Sequence, residues 1–309
     1  MAKKKESIDG LEKFNQVSPG ANVILVILFV LLALVCVIPL IFIIIISISS
    51  EQSIARNGFS FIPEKFSLDA YEYLWSNRNM VFDALRVSVI VTVVGTVLGL
   101  FLVTSMGYVL SRKEYKLQGF FTWVVFIPMI FNGGLISTYF VNSSVLKLSN
   151  THWALILPLL VQSFYVIICK TYFRTSLPDS IVESAQIDGA SQIGIFFRIV
   201  LPISLPVLAT IALFLTFNYW NDWYQALLYI TEPTLKPLQA LLSSIERNVE
   251  YMLQNAATLG VSRNAMLSKL PKQSFRMAIA VVIILPISFA YPFFQRYFIS
   301  GLTVGAVKG

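Results

Sequence analysis

The sequence predicts an all-α integral membrane protein with six transmembrane helices, and three observations carry that reading. Of the 309 residues, 56% are hydrophobic and only 13% charged, and mean hydropathy is +0.74, far on the apolar side of water-soluble domains. Six stretches reach the roughly 20 mainly apolar residues needed to cross the hydrocarbon core of a bilayer. The basic residues between those stretches are unequally shared among the loops, as topology determinants are.

In order, the stretches run near Ala21 to Ile48, Val87 to Leu110, Gly119 to Val141, His152 to Phe173, Leu201 to Ile230 and Phe275 to Phe298. The first exceeds the core of a signal peptide and is followed by no clear small-residue cleavage site, so it is expected to stay as a helix. On one side fall Lys3, Lys4, Lys5 and Lys13 of the N-terminal tail, Arg112, Lys113 and Lys116 of the second loop, Lys170, Arg174 and Arg198 around the fourth, and Arg296 and Lys308 near the end. On the other side the first loop holds Arg56, Lys65 and Arg78 against five acids, the short third loop only Lys147, and the fifth loop Lys236, Arg247, Arg263, Lys269 and Lys272, which weigh less because that loop is long. Both termini are therefore expected in the cytoplasm. The formal net charge of +7 is explained by topology, and nucleic acid is not an expected partner.

The inventory of reactive groups excludes several functions. Cys36 and Cys169 lie in apolar runs and form no disulfide framework. His152 is the only histidine; it starts the fourth span from the outside, without a second histidine or a carboxylate pair to build a metal site or an intramembrane enzyme. No phosphate-binding G-x-x-x-x-G-K-[ST] loop occurs, so any ATP and its magnesium must be bound by another chain, and no cofactor is expected in this one. An ion-driven secondary carrier should show midplane carboxylates, broken helices or inverted repeats. Read as six continuous spans, the sequence shows none of them. Asp222 lies roughly 30 Å along a helix started at Leu201, near the outer interface and away from the midplane. Arg276 and Lys170 are expected to snorkel from span ends.

Between the fourth and fifth spans, SLPDSIVESAQIDGASQIGIFFRIVLPISLP is too long and too patterned for a simple turn. Asp179 or Ser180 can cap a short helix whose apolar positions are Ile181, Val182, Ala185 and Ile187. Gly189 interrupts it, free to take a positive φ. Ile195, Phe196, Ile199 and Val200 continue the apolar face to Leu201-Pro202, where the chain turns into the membrane. The expected result is a helix-turn-helix at the cytoplasmic surface, joined rigidly to two spans.

The spacing Glu183-Ser184-Ala185, three residues, Gly189, nine residues, Ile199, one residue, Leu201-Pro202 resembles the EAA loop of binding-protein-dependent ABC importer permeases, with Ser in place of the middle Ala. YPFFQRYFISGLTVGAVKG is similar to the C-terminal tail of the carbohydrate-uptake, maltose-permease-like members. FNGGLISTY, Phe131 to Tyr139, is similar to a stretch in the subgroup that imports complex oligosaccharides. The resemblance covers about Val81 to Gly309 and implies the type I ABC importer permease fold, with a cytoplasmic coupling helix, in the bacterial cytoplasmic membrane. It implies that Glu183, Ser184, Ala185, Asp188, Gly189 and Ala190 dock onto an ATPase subunit, and that the tail with Gly305 and Lys308 approaches the ATPase pair. It further implies a second homologous permease, making a heterodimer, two ABC ATPase domains and an extracytoplasmic solute-binding protein, all meeting in membrane lipid.

The corresponding layout is a cytoplasmic tail over 1–20, a first span and outer loop over 21–80, a five-span core over 81–300 holding the EAA loop at 178–202, and a short flexible tail over 301–309. The outer loop from Thr231 to Ser274, with Glu246, Arg247, Glu250 and Arg263, is expected to meet the solute-binding protein. Asn218, Tyr219, Asn221 and Asp222 have side chains suited to sugar hydroxyls and are candidates for the substrate pathway, while Trp220 and Trp223 fit an interfacial aromatic belt. The function expected is import of an oligosaccharide, with another solute such as a peptide or amino acid as the alternative inside the class and an ion-driven carrier outside it.

Overall fold

The computed structural model describes residues 18–254 and 273–306. Among these residues the regular structure is helical, with one isolated β-bridge between Ser49 and Phe66. All-α membrane architecture is what the composition called for. Three helices are long and apolar enough to cross a bilayer unaided: Pro19–Ser47, Arg78–Ser111 and the helix starting at Gln273, which continues to Ala306. The other three predicted spans are bent pairs, turning by 114° between Gln118–Ile130 and Leu135–Val145, by 48° between His152–Leu159 and Ser163–Ser176, and by 84° between Gln192–Ile203 and Leu205–Trp220.

The expectation of unbroken spans is thus corrected, and the two sharper breaks have a local cause. In the third span Pro128 lies near the end of the first segment. Asn132-Gly133-Gly134 follows, with Gly134 at φ +83° in a region that only glycine enters cheaply; the Asn132 side chain accepts from the Gly134 N–H at 2.9 Å. In the fifth, Pro202 and Pro206 bracket Ser204. Neither proline donates a backbone hydrogen bond, so the ladder is interrupted there and the chain turns. Broken helices therefore do not discriminate against an ion-driven carrier in this chain. The helix predicted to run to Ile230 ends at Trp220, and Tyr224–Tyr229 forms a separate turn of helix.

Contacts divide the chain into two units. One runs to Tyr71 and takes in the last helix as far as Val281. Within it Ser18 caps the first helix by accepting from the Ala21 N–H at 3.3 Å. Beyond Ser47 the chain is held by Ser47 Oγ to the Tyr71 hydroxyl at 2.8 Å and by the Ser50 N–H to the Lys65 carbonyl at 2.9 Å. The Glu51 carboxylate accepts from the N–H groups of Gln273 and Ser274 at 3.0 and 3.3 Å and from the Ser274 hydroxyl at 3.0 Å. A carboxylate so placed satisfies orphan donors at a helix start and complements its dipole. Arg276 does not snorkel: it bonds Gln273, and its Nε is buried without a partner among the described residues.

The second unit begins at Glu72 and is organised around the Arg78–Ser111 helix. Ser163–Ser176 and Leu205–Trp220 pack along it, burying Val103, Val166, Cys169, Phe173, Ile211 and Leu215. Lipid tails are as apolar as these side chains, so association of the helices depends on close packing. Glycines on the long helix allow it. A Cβ on Gly95 would stand 2.4 Å from the Tyr219 ring, and one on Gly107 would stand 2.5 Å from the Cys169 Cβ. Lys170 Nζ donates to Thr122 Oγ1 at 2.9 Å instead of snorkelling.

Candidate functional site: a helix-turn-helix at one end and a polar cluster at the other

After Leu177, Pro178 precedes a helix over Asp179–Ile187, the left-handed Gly189, and a second helix starting at Gln192. The turn is closed by the Gly189 N–H donating to the Gln186 carbonyl at 3.0 Å and the Ala190 N–H to the Ala185 carbonyl at 2.9 Å. This pair of bonds around a glycine at φ +81° satisfies two carbonyls that the helix end would otherwise leave orphaned. Ser191 caps the next helix through the Gly194 N–H at 3.1 Å. A π-turn over Phe196–Val200 leads to Leu201–Ile203, and the chain turns at Ser204, two residues past the position expected.

Asp179 does not cap the first helix, contrary to expectation. Its carboxylate instead pairs with Arg112 Nη1 and Lys113 Nζ, both at 3.3 Å. These bonds tie the start of the helix to the end of Arg78–Ser111. The Arg112 side chain is mostly buried and its guanidinium lies 5.3 Å from the centre of the Tyr108 ring. Tyr108 in turn meets Phe173 edge-on at 5.9 Å and Phe196 at 5.4 Å. One aromatic residue thereby contacts the fourth span and the π-turn of the fifth. Beside it a cleft of about 590 Å³ is lined by Phe101, Tyr108, Gln186, Ile193, Phe196 and Phe197. Sequence reading assigned Arg112 and Lys113 to topology alone; a basic pair followed at a distance by an acidic helix start is a signal that spacing cannot connect.

The six residues expected to dock an ATPase divide into two groups. Glu183, Ser184, Asp188, Gly189 and Ala190 are exposed on the helix and its turn. Ala185 is only 8% exposed and, with Val182, belongs to the core cluster; it seats the helix on the membrane unit and presents no outer surface. Apolar side chains stand among the exposed polar ones, Ile187 at 86% and Ile193 at 72%. Of the tail, Gly305 lies in the helix that continues to Ala306, so that stretch is helical where a flexible tail was expected, and Lys308 lies outside the described residues.

The opposite end of the Leu205–Trp220 helix holds the four substrate-pathway candidates, and the structure separates them. Tyr219 is buried, donates to the Ile156 carbonyl at 2.9 Å and fills the space opposite Gly95, so it is a packing residue. Asp222 accepts from the N–H groups of Tyr224 and Gln225 at 3.2 and 3.3 Å and so holds the start of the following helix. Asn218 donates to the Tyr165 hydroxyl at 2.8 Å, and Tyr165 stacks on Phe214. Asn221 is exposed, and its carbonyl oxygen accepts from Gln239 at 3.1 Å. Trp220 is not an interfacial anchor: it is buried and donates to the Ile283 carbonyl at 3.1 Å. Trp223 remains 42% exposed. The loop beyond Thr231 contains the 17-residue helix Leu238–Gln254, entered where the Leu238 N–H donates to Ser88 Oγ at 2.8 Å; Glu246 and Glu250 are exposed on it, and Arg263 lies outside the described residues.

Residues 95–304 match the family model of binding-protein-dependent transport system inner membrane components, and the chain belongs to that family. It is 40% identical over 263 residues to the polygalacturonan/rhamnogalacturonan transport system permease protein YtcP of Bacillus subtilis, covering 85% of this chain and 89% of that one. It is 31% identical over 267 residues to the arabinooligosaccharides transport system permease protein AraQ of Halalkalibacterium halodurans, covering 85% and 88%. Among solved structures it is similar to a bacterial ABC transporter involved in import of the acidic polysaccharide alginate, with TM-score 0.75, 26% identity, and coverage of 92% of this chain and 99% of that one.

Proposed function

We propose that this chain is the membrane-spanning subunit of an ATP-driven importer for an oligosaccharide, and that ATP is hydrolysed on separate ATPase chains that dock at Asp179–Ile187. One observation carries the reading: a helix with exposed Glu183, Ser184, Ile187 and Asp188 on one side, seated through Val182 and Ala185 on the other and clamped by Asp179 to the long membrane helix. An exposed carboxylate ringed by exposed apolar groups suits a cleft bearing a basic residue. Displacement of this helix reaches the spans through Arg112, Tyr108 and Phe196, and the adjoining cleft gives the π-turn room to reorganise between two states.

The membrane unit pairs with a second permease and receives its sugar from an extracytoplasmic binding protein, with both termini in the cytoplasm. Oligosaccharide as substrate is supported by the names of the relatives and by the exposed Asn221 amide and Trp223 indole at the far end of the fifth span. Acidic sugars are the class we favour, since the YtcP relative is named for polygalacturonan and rhamnogalacturonan transport and the similar structure for import of the acidic polysaccharide alginate. Affinity purification from host membranes in mild detergent tests the assembly. An ABC ATPase and a second permease should co-purify in stoichiometric amount; recovery of this chain alone, in active form, contradicts the proposal.

A further inference from the structure

The turn after Trp220 and one face of the Leu238–Gln254 helix form a polar row. Gln239, Ser243 and Arg247 stand at intervals of four, so they share one face of the helix. That face meets the 221–223 turn twice: Gln239 Nε2 donates to Asn221 Oδ1 at 3.1 Å, and the Arg247 guanidinium lies 5.8 Å from the centre of the Trp223 ring. Between them Ser243 Oγ accepts from Arg247 Nη1 at 2.6 Å. Arg247 is half-buried and, among the described residues, has no carboxylate within 4.0 Å. Two acids of the same elements are otherwise engaged: Asp222 accepts from backbone N–H groups, and Glu250 accepts from Gln254 at 3.1 Å; Glu246 is exposed. A guanidinium held by a hydroxyl and an indole, with no acidic partner, keeps most of its five donors for a ligand.

We infer that Arg247, Trp223, Asn221 and Gln239 form a subsite for the carboxylate-bearing unit of an acidic sugar, an assignment that rests on the acidic-oligosaccharide reading above. The indole, 42% exposed, offers an apolar face to the C–H groups of a pyranose ring. The guanidinium takes the C6 carboxylate through paired charge-assisted bonds. The two amides, already aligned on each other, exchange hydrogen bonds with ring hydroxyls. The site lies at the end of the fifth span away from the helix-turn-helix, where sugar arrives in the proposed direction of transport.

The test is uptake of labelled uronate trimers, galacturonate, mannuronate and guluronate, by host cells carrying chromosomal Arg247→Gln or Arg247→Lys. For the trimer that wild-type cells import, Arg247→Gln should lower uptake about tenfold, as loss of a charge-assisted pair does. Arg247→Lys should recover part of that loss, since the charge is retained without the planar fork. The amount of this chain in the membrane and of ATPase co-purified with it should be unchanged in both. Unchanged uptake in Arg247→Gln overturns the assignment. So does a loss matched by loss of assembled complex, which marks a packing role. Absence of uronate uptake in wild-type cells that import neutral trimers overturns the acidic-sugar reading and the assignment with it, whereas uronate uptake insensitive to Arg247 overturns the assignment alone.

Discussion

Glu183→Arg should reduce the ATPase recovered with this chain at least about tenfold and abolish coupled uptake, leaving the amount of this chain in the membrane unchanged. The carboxylate is exposed on the outer side of the Asp179–Ile187 helix, and no ion pair engages it among the described residues. Reversing its charge therefore costs the fold little, since exposed charges contribute at most about 1 kcal/mol. At an interface the same change places two cations together, and like-charge juxtaposition costs several kcal/mol. The neighbouring surface sharpens the expectation: Ile187 and Ile193, exposed in this chain, would be left uncovered if the docked state were lost. Glu183→Gln separates the contributions, because it removes attraction without adding repulsion and should weaken assembly much less. Co-purification followed by quantitative immunoblotting reads both variants. Undiminished ATPase recovery in Glu183→Arg would remove the docking assignment.

The second large effect is on the fold itself. Gly107→Leu should eliminate accumulation of the protein in membranes, because even a Cβ at that position would sit 2.5 Å from the Cys169 Cβ and 3.0 Å from the Lys170 nitrogen. The obstructing atoms are at or next to the backbone of the Ser163–Ser176 helix and cannot rotate aside. Relief requires the two helices to separate, uncovering Val103, Val166 and Phe173, and overpacking of a tight core already costs about 1–3 kcal/mol where the backbone can adjust. Gly119→Leu on the next span is the control, since nothing lies within 4 Å of a Cβ there; it should accumulate normally. Membrane-fraction immunoblots compare the two. Equal accumulation would show that the long helix does not pack through its glycine face.

Much of this architecture is legible in the chain. Apolar length locates the spans, and the run from Pro178 to Pro202 yields the helix, the left-handed Gly189 and the turn into the membrane, because each depends on neighbouring residues alone. The breaks are local too: Pro128 with Asn132-Gly133-Gly134, and Pro202 with Pro206, are visible signals that an average over twenty residues conceals. What is not legible depends on residues far apart in sequence. Asp179 looks like a cap until Arg112 and Lys113 are brought to it. Tyr219 and Trp220 read as sugar or interface chemistry until Ile156, Gly95 and Ile283 are found around them. Arg247 looks like one more loop charge until the amphipathic Leu238–Gln254 helix lays it against Trp223. The spans and the helix-turn-helix are readable; the partners of individual polar side chains are not.

The energy source is the centre of the account, and it can be measured directly in proteoliposomes holding this chain with its co-purified partners and solute-binding protein. With ATP and magnesium enclosed and ionophores present to abolish proton and sodium gradients, sugar should enter at the full rate, and omission of ATP should stop it. Uptake that ceases with the ionophores while ATP is maintained, or that proceeds on an ion gradient without ATP, would contradict the account and make this chain an ion-driven carrier.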